Sequence, residues 1–181
     1  MDRMDSSLVA MHPVTGELLG QWRLGDPFLS IRHLAWDASS GTLGIALQAE
    51  HPDKKARAEA PVLAIWNSHH LQTTIGQPAL AGYGGDICAW PGGGFAVSCP
   101  RAGRLALFDH RAIWRTAPAH HGAYALASDA RRWCLASDEV VATLYTGTAK
   151  TSHLLNAPAA PGSHRQLDNH WLLSSAPSSP S

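Results

Sequence analysis

Polar residues of several chemical types occur at one position of a repeated sequence unit. The three copies of the unit are residues 30–37 (SIRHLAWD), 84–91 (GGDICAWP) and, with weaker similarity, 124–129 (YALASD). The first two copies align through Trp36 and Trp90. This alignment assigns Arg32 and Asp86 to one position, where the third copy adds Tyr124. A guanidinium, a carboxylate and a phenol that converge in this way can bind a polar ligand, and a carboxylate can also act as an acid or a base.

A metal site is a second chemical possibility, because the chain contains 11 histidines and imidazole binds zinc, copper, nickel and iron. The adjacent pairs at 69–70 and 120–121 lie in predicted loops, and neighbouring side chains on a strand point apart. We interpret these four as solvated residues. His33 and His170 form the better candidate metal pair, and other parts of a complete protein would have to supply further ligands. The sequence identifies no cofactor.

The elements that must position these residues are β-strands, because apolar residues alternate with a period of two and no segment shows a sustained helical stripe. The predicted strands cover residues 7–12, 17–24, 31–37, 42–49, 62–67, 71–75, 86–90, 95–99, 104–110, 112–116, 123–128, 133–137, 140–145, 152–156 and 170–174. The polar segment 51–60 is predicted to be a long surface loop. The strands group as two, then three sets of four, then one.

Recurring four-stranded antiparallel units are typical of a β-propeller. We therefore predict an all-β fold, a partial propeller with about three full blades and parts of two others. Residues 1–175 would form this incomplete domain, and the Ser/Pro-rich residues 176–181 a disordered tail. An open half-ring would expose the Trp-rich faces of its terminal blades, so we expect self-association.

In a propeller, the first strand of each blade lines the central channel, and the loops that enter these strands form one rim. The predicted rim residues are Arg32, His33, Asp86, Tyr124, Asn169 and His170. Strand alternation places Arg32 and His33 on opposite faces. Two interpretations stay open. Either these residues bind a ligand at the rim, or Arg32 and Asp86 form an ion pair between blades while His33 is a hydrogen-bonded core residue. The repeated tryptophans Trp36 and Trp90 are expected to fill the wedge between blades.

The three cysteines lie at positions 88, 99 and 134 and form no CxxC pair. We expect buried structural thiols. A hairpin loop at 91–94 would place Cys88 opposite Val97 and Cys99 opposite Asp86. The thiols of Cys88 and Cys99 would then be diagonal neighbours on one face of a sheet.

Five segments carry a resemblance to a known family: residues 4–8 (MDSSL), 15–18 (TGEL), 30–36 (SIRHLAW), 102–104 (AGR) and 168–170 (DNH). The chain is similar to the C-terminal half of a bacterial family of seven-bladed β-propellers of the quinoprotein and YVTN-repeat kind, catalogued as a domain of unknown function. Members usually carry a twin-arginine export signal, which implies a periplasmic location. They tend to be encoded beside imelysin-type iron-regulated proteins, which implies a role in iron acquisition. This chain shows neither the signal nor the first blades, which suggests an internal start or a truncated gene.

The amino-acid composition argues against two further classes of protein, those that bind nucleic acids and those that span a membrane. The formal net charge is +0 and 15% of residues are charged, which argues against a nucleic-acid surface. No apolar run reaches the roughly 18 residues of a membrane helix. We therefore predict a non-enzymatic periplasmic module that binds a small ligand or a protein partner at the rim, with a possible link to iron. The alternatives are an enzyme that uses the channel, such as a lactonase-like hydrolase or a metal-dependent oxidoreductase, and a non-functional gene fragment.

Overall fold

The computed structural model describes residues 5–90, 93–129, 132–136 and 141–145. Its strands are β1 (Ser7–Met11), β2 (Leu18–Arg23), β3 (Leu29–Asp37), β4 (Thr42–Ala49), β5 (Leu63–Trp66), β6 (Leu71–Thr73), β7 (Asp86–Ala89), β8 (Phe95–Cys99), β9 (Arg104–Phe108), β10 (Trp114–Thr116), β11 (Ala125–Ser128), β12 (Arg132–Ala136) and β13 (Val141–Tyr145). They form four antiparallel sheets: β1–β2, β3–β6, β7–β10 and β11–β13, here called the first to fourth sheets. Each sheet follows chain order, so strands that are consecutive in the sequence are neighbours in the sheet.

The sheets pack face to face in sequence, with one apolar core between each neighbouring pair. One core joins the first and second sheets, a second joins the second and third, and a third joins the third and fourth. The first strands of the later sheets lie side by side, since β3 contacts β7 and β7 contacts β11. This arrangement of antiparallel sheets, two of them four-stranded, around adjacent inner strands is a partial β-propeller, and it confirms the predicted all-β class.

Glycine lets two of the sheets approach closely. Gly44 lies on β4, and a Cβ atom there would be only 2.4 Å from Cδ1 of Phe95. Phe95 is fully buried in the core between the second and third sheets. The missing side chain at Gly44 therefore provides the space that this aromatic ring fills.

The strand predictions hold through residue 145, with boundaries that differ by up to two residues. The strands predicted at 152–156 and 170–174, and the tail at 176–181, lie outside the described residues. Over the ranges that the structure describes, no helix is both long enough and apolar enough to cross a membrane.

The predicted loop at 51–60 contains an α-helix, α1 (Lys54–Glu59). Asp53 caps it, because its side chain accepts a hydrogen bond from the Ala56 N–H at 2.7 Å. The sequence KKARAE consists of good helix formers. It is shorter than the window over which a helical period can be recognised, so the prediction of an irregular loop was wrong.

The predicted pairing of the cysteine-bearing strands was also wrong, by one residue. Cys88 pairs with Ala96 rather than Val97, because the turn closes between Trp90 and Gly94: the Trp90 N–H donates to the Gly94 carbonyl at 2.8 Å. A slip of one residue moves side chains to the other face. Cys88 therefore lies in the core between the third and fourth sheets, and Cys99 in the core between the second and third.

The prediction of buried thiols is confirmed, since all three cysteines are buried and free of disulfide bonds. Burial raises the pKa of Cys88 to about 12 and that of Cys99 to about 12. Both thiols therefore stay protonated at neutral pH and behave as small apolar side chains.

Candidate functional site

A β-bulge on β3 decides which side chain points toward the third sheet. Ile31 pairs with Leu47 on β4, but His33 pairs with the adjacent residue Ala46, so Arg32 is the extra residue of the bulge. Ile31 packs in the core on the side of the first sheet. The bulge turns His33 to the opposite side, toward β7, and leaves Arg32 exposed.

His33 faces Asp86, the first residue of β7. Its Nδ1 lies 4.0 Å from Asp86 Oδ1. Asp86 is 6% exposed, and both of its carboxylate oxygens accept backbone hydrogen bonds at 2.8 Å. Oδ1 accepts from the Ile87 N–H and Oδ2 from the Leu126 N–H. Asp86 therefore connects the second, third and fourth sheets at their inner strands.

Tyr124 lies beside this carboxylate through its backbone. Ser98, which pairs with Asp86 across β7 and β8, donates its Oγ–H to the Tyr124 carbonyl at 3.1 Å. The Tyr124 side chain is exposed at the entry to β11. Three sheets thus bring His33, Asp86 and Tyr124 together at the end where β7 and β11 begin.

The predicted position of Arg32 requires a correction. The ion pair between Arg32 and Asp86, one of the two interpretations that the sequence left open, does not form, because the bulge places His33 opposite Asp86 and Arg32 on the exposed side of β3. The prediction that strand alternation places Arg32 and His33 on opposite faces agrees with the structure, in which Arg32 is exposed and His33 is half-buried. Asn169 and His170 lie outside the described residues, and so does the proposed metal pair of His33 with His170.

Trp36 and Trp90, which align in the sequence, do not occupy equivalent positions in the structure. Trp36 is 52% exposed, whereas Trp90 packs on Trp133 of the fourth sheet with ring centroids 5.1 Å apart. On β3, Ala35 packs against the core between the second and third sheets. The expectation that Trp36 fills a wedge between blades was therefore wrong.

A buried carboxylate at the other end of the inner strands was not recognised as important. Asp37 ends β3 and accepts four hydrogen bonds. Oδ1 accepts from the N–H and the Oγ–H of Ser39 at 2.9 and 2.7 Å. Oδ2 accepts from Ser40 Oγ at 2.7 Å and from the Gly94 N–H at 2.9 Å. The last of these bonds joins the turn of the second sheet to that of the third.

The environment of Asp37 changes its acidity. Burial alone raises its pKa, but the hydrogen bonds from Ser40, Ser39 and Gly94 outweigh burial and hold the pKa below the ordinary value. The signal in the sequence was the turn DASSG, in which Asp and Ser commonly bond nearby backbone groups. Its contact with Gly94, 57 residues away, could not be seen there.

Metal binding receives no support from this part of the chain. Among the residues that the structure describes, no three or more His, Cys, Asp and Glu side chains cluster so as to hold an ion.

The fold and the site together define a partial β-propeller with a His–Asp pair between its inner strands. The model of the family described as "Protein of unknown function (DUF1513)" matches residues 1–174, and the chain belongs to this family. No curated protein matches it in sequence. Among solved structures, it is similar to the crystal structure of Myxococcus xanthus glutaminyl cyclase, with 14% identity and a TM-score of 0.44. The match covers 77% of this chain and 57% of that chain, so this chain spans a little over half of that structure's length.

Proposed function

We propose that the protein is a non-enzymatic binding module whose ligand site lies where the inner strands begin. One observation carries this proposal: the His33 ring, the Asp86 carboxylate and the backbone of Tyr124 lie together where β7 and β11 begin. Polar groups that converge from separate elements of a rigid scaffold are typical of binding sites.

The contacts of Asp86 favour binding over catalysis. Both of its oxygens accept backbone N–H groups, so the carboxylate is held in place between the sheets. In that position it orients His33 and ties the strands together. A general base, in contrast, must reach the proton of a substrate.

Arg32 suggests the chemistry of the ligand. Arg32 precedes His33 on β3, is exposed on the side away from Asp86, and forms no ion pair with a carboxylate of the described residues. A free guanidinium recognises carboxylate groups through paired hydrogen bonds. The family resemblance supports a periplasmic location and a role in iron handling. We therefore propose a carboxylate chelate of ferric iron as the ligand class.

Calorimetric titration with ferric citrate and with citrate alone tests this site. We expect saturable binding of ferric citrate, weakened at least about 10-fold by Arg32→Gln, which corresponds to about 1.4 kcal/mol. The matched control is Arg111→Gln, because Arg111 is exposed in the turn between β9 and β10; its affinity should equal that of the wild type. Equal binding by Arg32→Gln, or no binding of either probe, would contradict the proposal.

We also propose that residues 1–175 belong to a single incomplete ring and that the chain associates with itself. Leu34 and Trp36 are each 52% exposed on the face of β3 away from β7. β3 covers one side of β7, and β7 covers one side of β11. No inner strand of the described residues covers this face of β3 in the same way, so an inner strand of a second copy could pack there.

Light scattering checks this expectation. The wild type should form dimers or larger species, and Trp36→Lys should shift the population toward monomer. Ile75→Lys is the control, because Ile75 is 90% exposed in a loop outside the strands. A wild type that remains monomeric and unfolds cooperatively would rule out self-association through this face.

A further inference from the structure

A cavity of about 310 Å³ lies at the end of the first sheet, where β2 leads into β3. This volume is at the lower end of the range for small-molecule sites. Its lining residues include Asp5, Ser6, Arg23 and Asp26. None of these residues belongs to the rim site, so the cavity is a separate feature of the molecule.

Asp26 presents an oriented carboxylate to the cavity. Its Oδ1 accepts the Phe28 N–H at 2.9 Å, and its Oδ2 lies 2.9 Å from Nε2 of His51. The His51 ring is largely buried and lies against Phe28, with ring centroids 5.2 Å apart. The Asp26 side chain is nevertheless 36% exposed, so its remaining acceptor sites are open to a ligand.

Arg23 provides the opposite charge on the same cavity. Its Nε lies 3.2 Å from Asp5 Oδ1, which orients the side chain. A guanidinium has five N–H donors, and this contact uses only one of them. The terminal N–H groups therefore remain to bind a carboxylate in the bidentate geometry that arginine favours.

We propose that this cavity binds a small zwitterion that carries both an ammonium and a carboxylate group, as a free α-amino acid does. The ammonium binds Asp26 and the carboxylate binds Arg23. Asp5 also lines the cavity and is paired with Arg23, so the ligand carboxylate shares the Arg23 guanidinium with Asp5, while Asp26 offers its open acceptor sites to the ammonium. A ligand with only one charge would bind only one of these two groups and should bind more weakly.

Calorimetric titration with glycine and L-leucine tests the site directly. N-acetyl-L-leucine lacks the ammonium and L-leucinamide lacks the carboxylate, so each should bind at least 10-fold more weakly than L-leucine. Arg23→Gln should weaken L-leucine binding to the same degree, and so should Asp26→Asn. Arg115→Gln is the matched control, because Arg115 forms the corresponding arginine–aspartate pair in the third sheet with Asp109.

Two results would overturn the proposal. One is equal binding of L-leucine and its blocked analogues, and the other is no binding of either amino acid at about 10 mM. Arg23 is half exposed in a surface ion pair, and such pairs contribute little to stability. Arg23→Gln is therefore expected to fold even if Asp26→Asn does not. Because Arg32 lies outside this cavity, Arg32→Gln should bind L-leucine normally, which distinguishes this site from the rim site.

Discussion

Gly94→Ala is expected to lower the free energy of unfolding by about 3–5 kcal/mol, from backbone strain and overpacking together. Gly94 has a φ of +108°, a conformation that L-residues with a side chain rarely adopt. A Cβ atom there would lie 2.3 Å from the Phe108 carbonyl oxygen on the neighbouring strand β9. The backbone of residue 94 fixes the position of the Cβ atom, and the Phe108 oxygen is itself a backbone atom. Neither atom can therefore move away by rotation about a side-chain bond.

Gly41→Ala is the control for Gly94→Ala, because it introduces backbone strain without steric overlap. Gly41 also has a positive φ, +66°, but a Cβ atom there would meet nothing within 4 Å. Its substitution should cost about 1 kcal/mol. Urea denaturation of both variants measures the difference, and equal destabilisation would show that the close approach to β9 does not matter.

Asp37→Asn is expected to destabilise the protein by about 2 kcal/mol at pH 7, because charge-assisted hydrogen bonds to a buried carboxylate are lost. An amide can accept these bonds only through its one oxygen, whereas Asp37 accepts them through both. At least one of the donors, from Ser39, Ser40 or Gly94, would then face an NH₂ group.

The pH dependence identifies the charge as the cause. The pKa of Asp37 is lowered in the folded protein, so its ionised form contributes stability above the unfolded value of about 3.9. That contribution is lost as the pH falls through the folded pKa. The difference between wild type and Asp37→Asn should therefore be constant near neutral pH and shrink in acid. Urea titrations across this range measure it, with Glu17→Gln as an exposed control; a constant difference down to pH values well below 3.9 would contradict this account.

Asp37 and Asp86 perform the same task at opposite ends of the inner strands. Each is a buried carboxylate that accepts a backbone N–H from the next sheet: Asp37 from Gly94, and Asp86 from Leu126. Apolar packing between sheets is non-directional. Directional bonds of this kind fix how each sheet is placed against the next.

The sequence by itself determined the all-β class, the order of strands and most strand boundaries. These depend on local chemistry: alternation with a period of two, and turn residues such as those of Asp37–Gly41. The sequence also assigned His33, Asp86 and Tyr124 to one rim, together with Arg32, Asn169 and His170. That assignment depended on residue types and on their places at the start of recurring strands.

The tertiary structure alone decided which of these side chains meet. The bulge at Arg32 and the turn that closes at Gly94 each shift the pairing by one residue. A shift of one residue exchanges the faces of a strand, so His33 replaces Arg32 opposite Asp86, and Cys88 and Cys99 separate into different cores. The alternation of apolar and polar residues in the sequence is compatible with either pairing register. The choice between registers depends on how each strand packs against the neighbouring sheet, and that contact exists only in the folded chain.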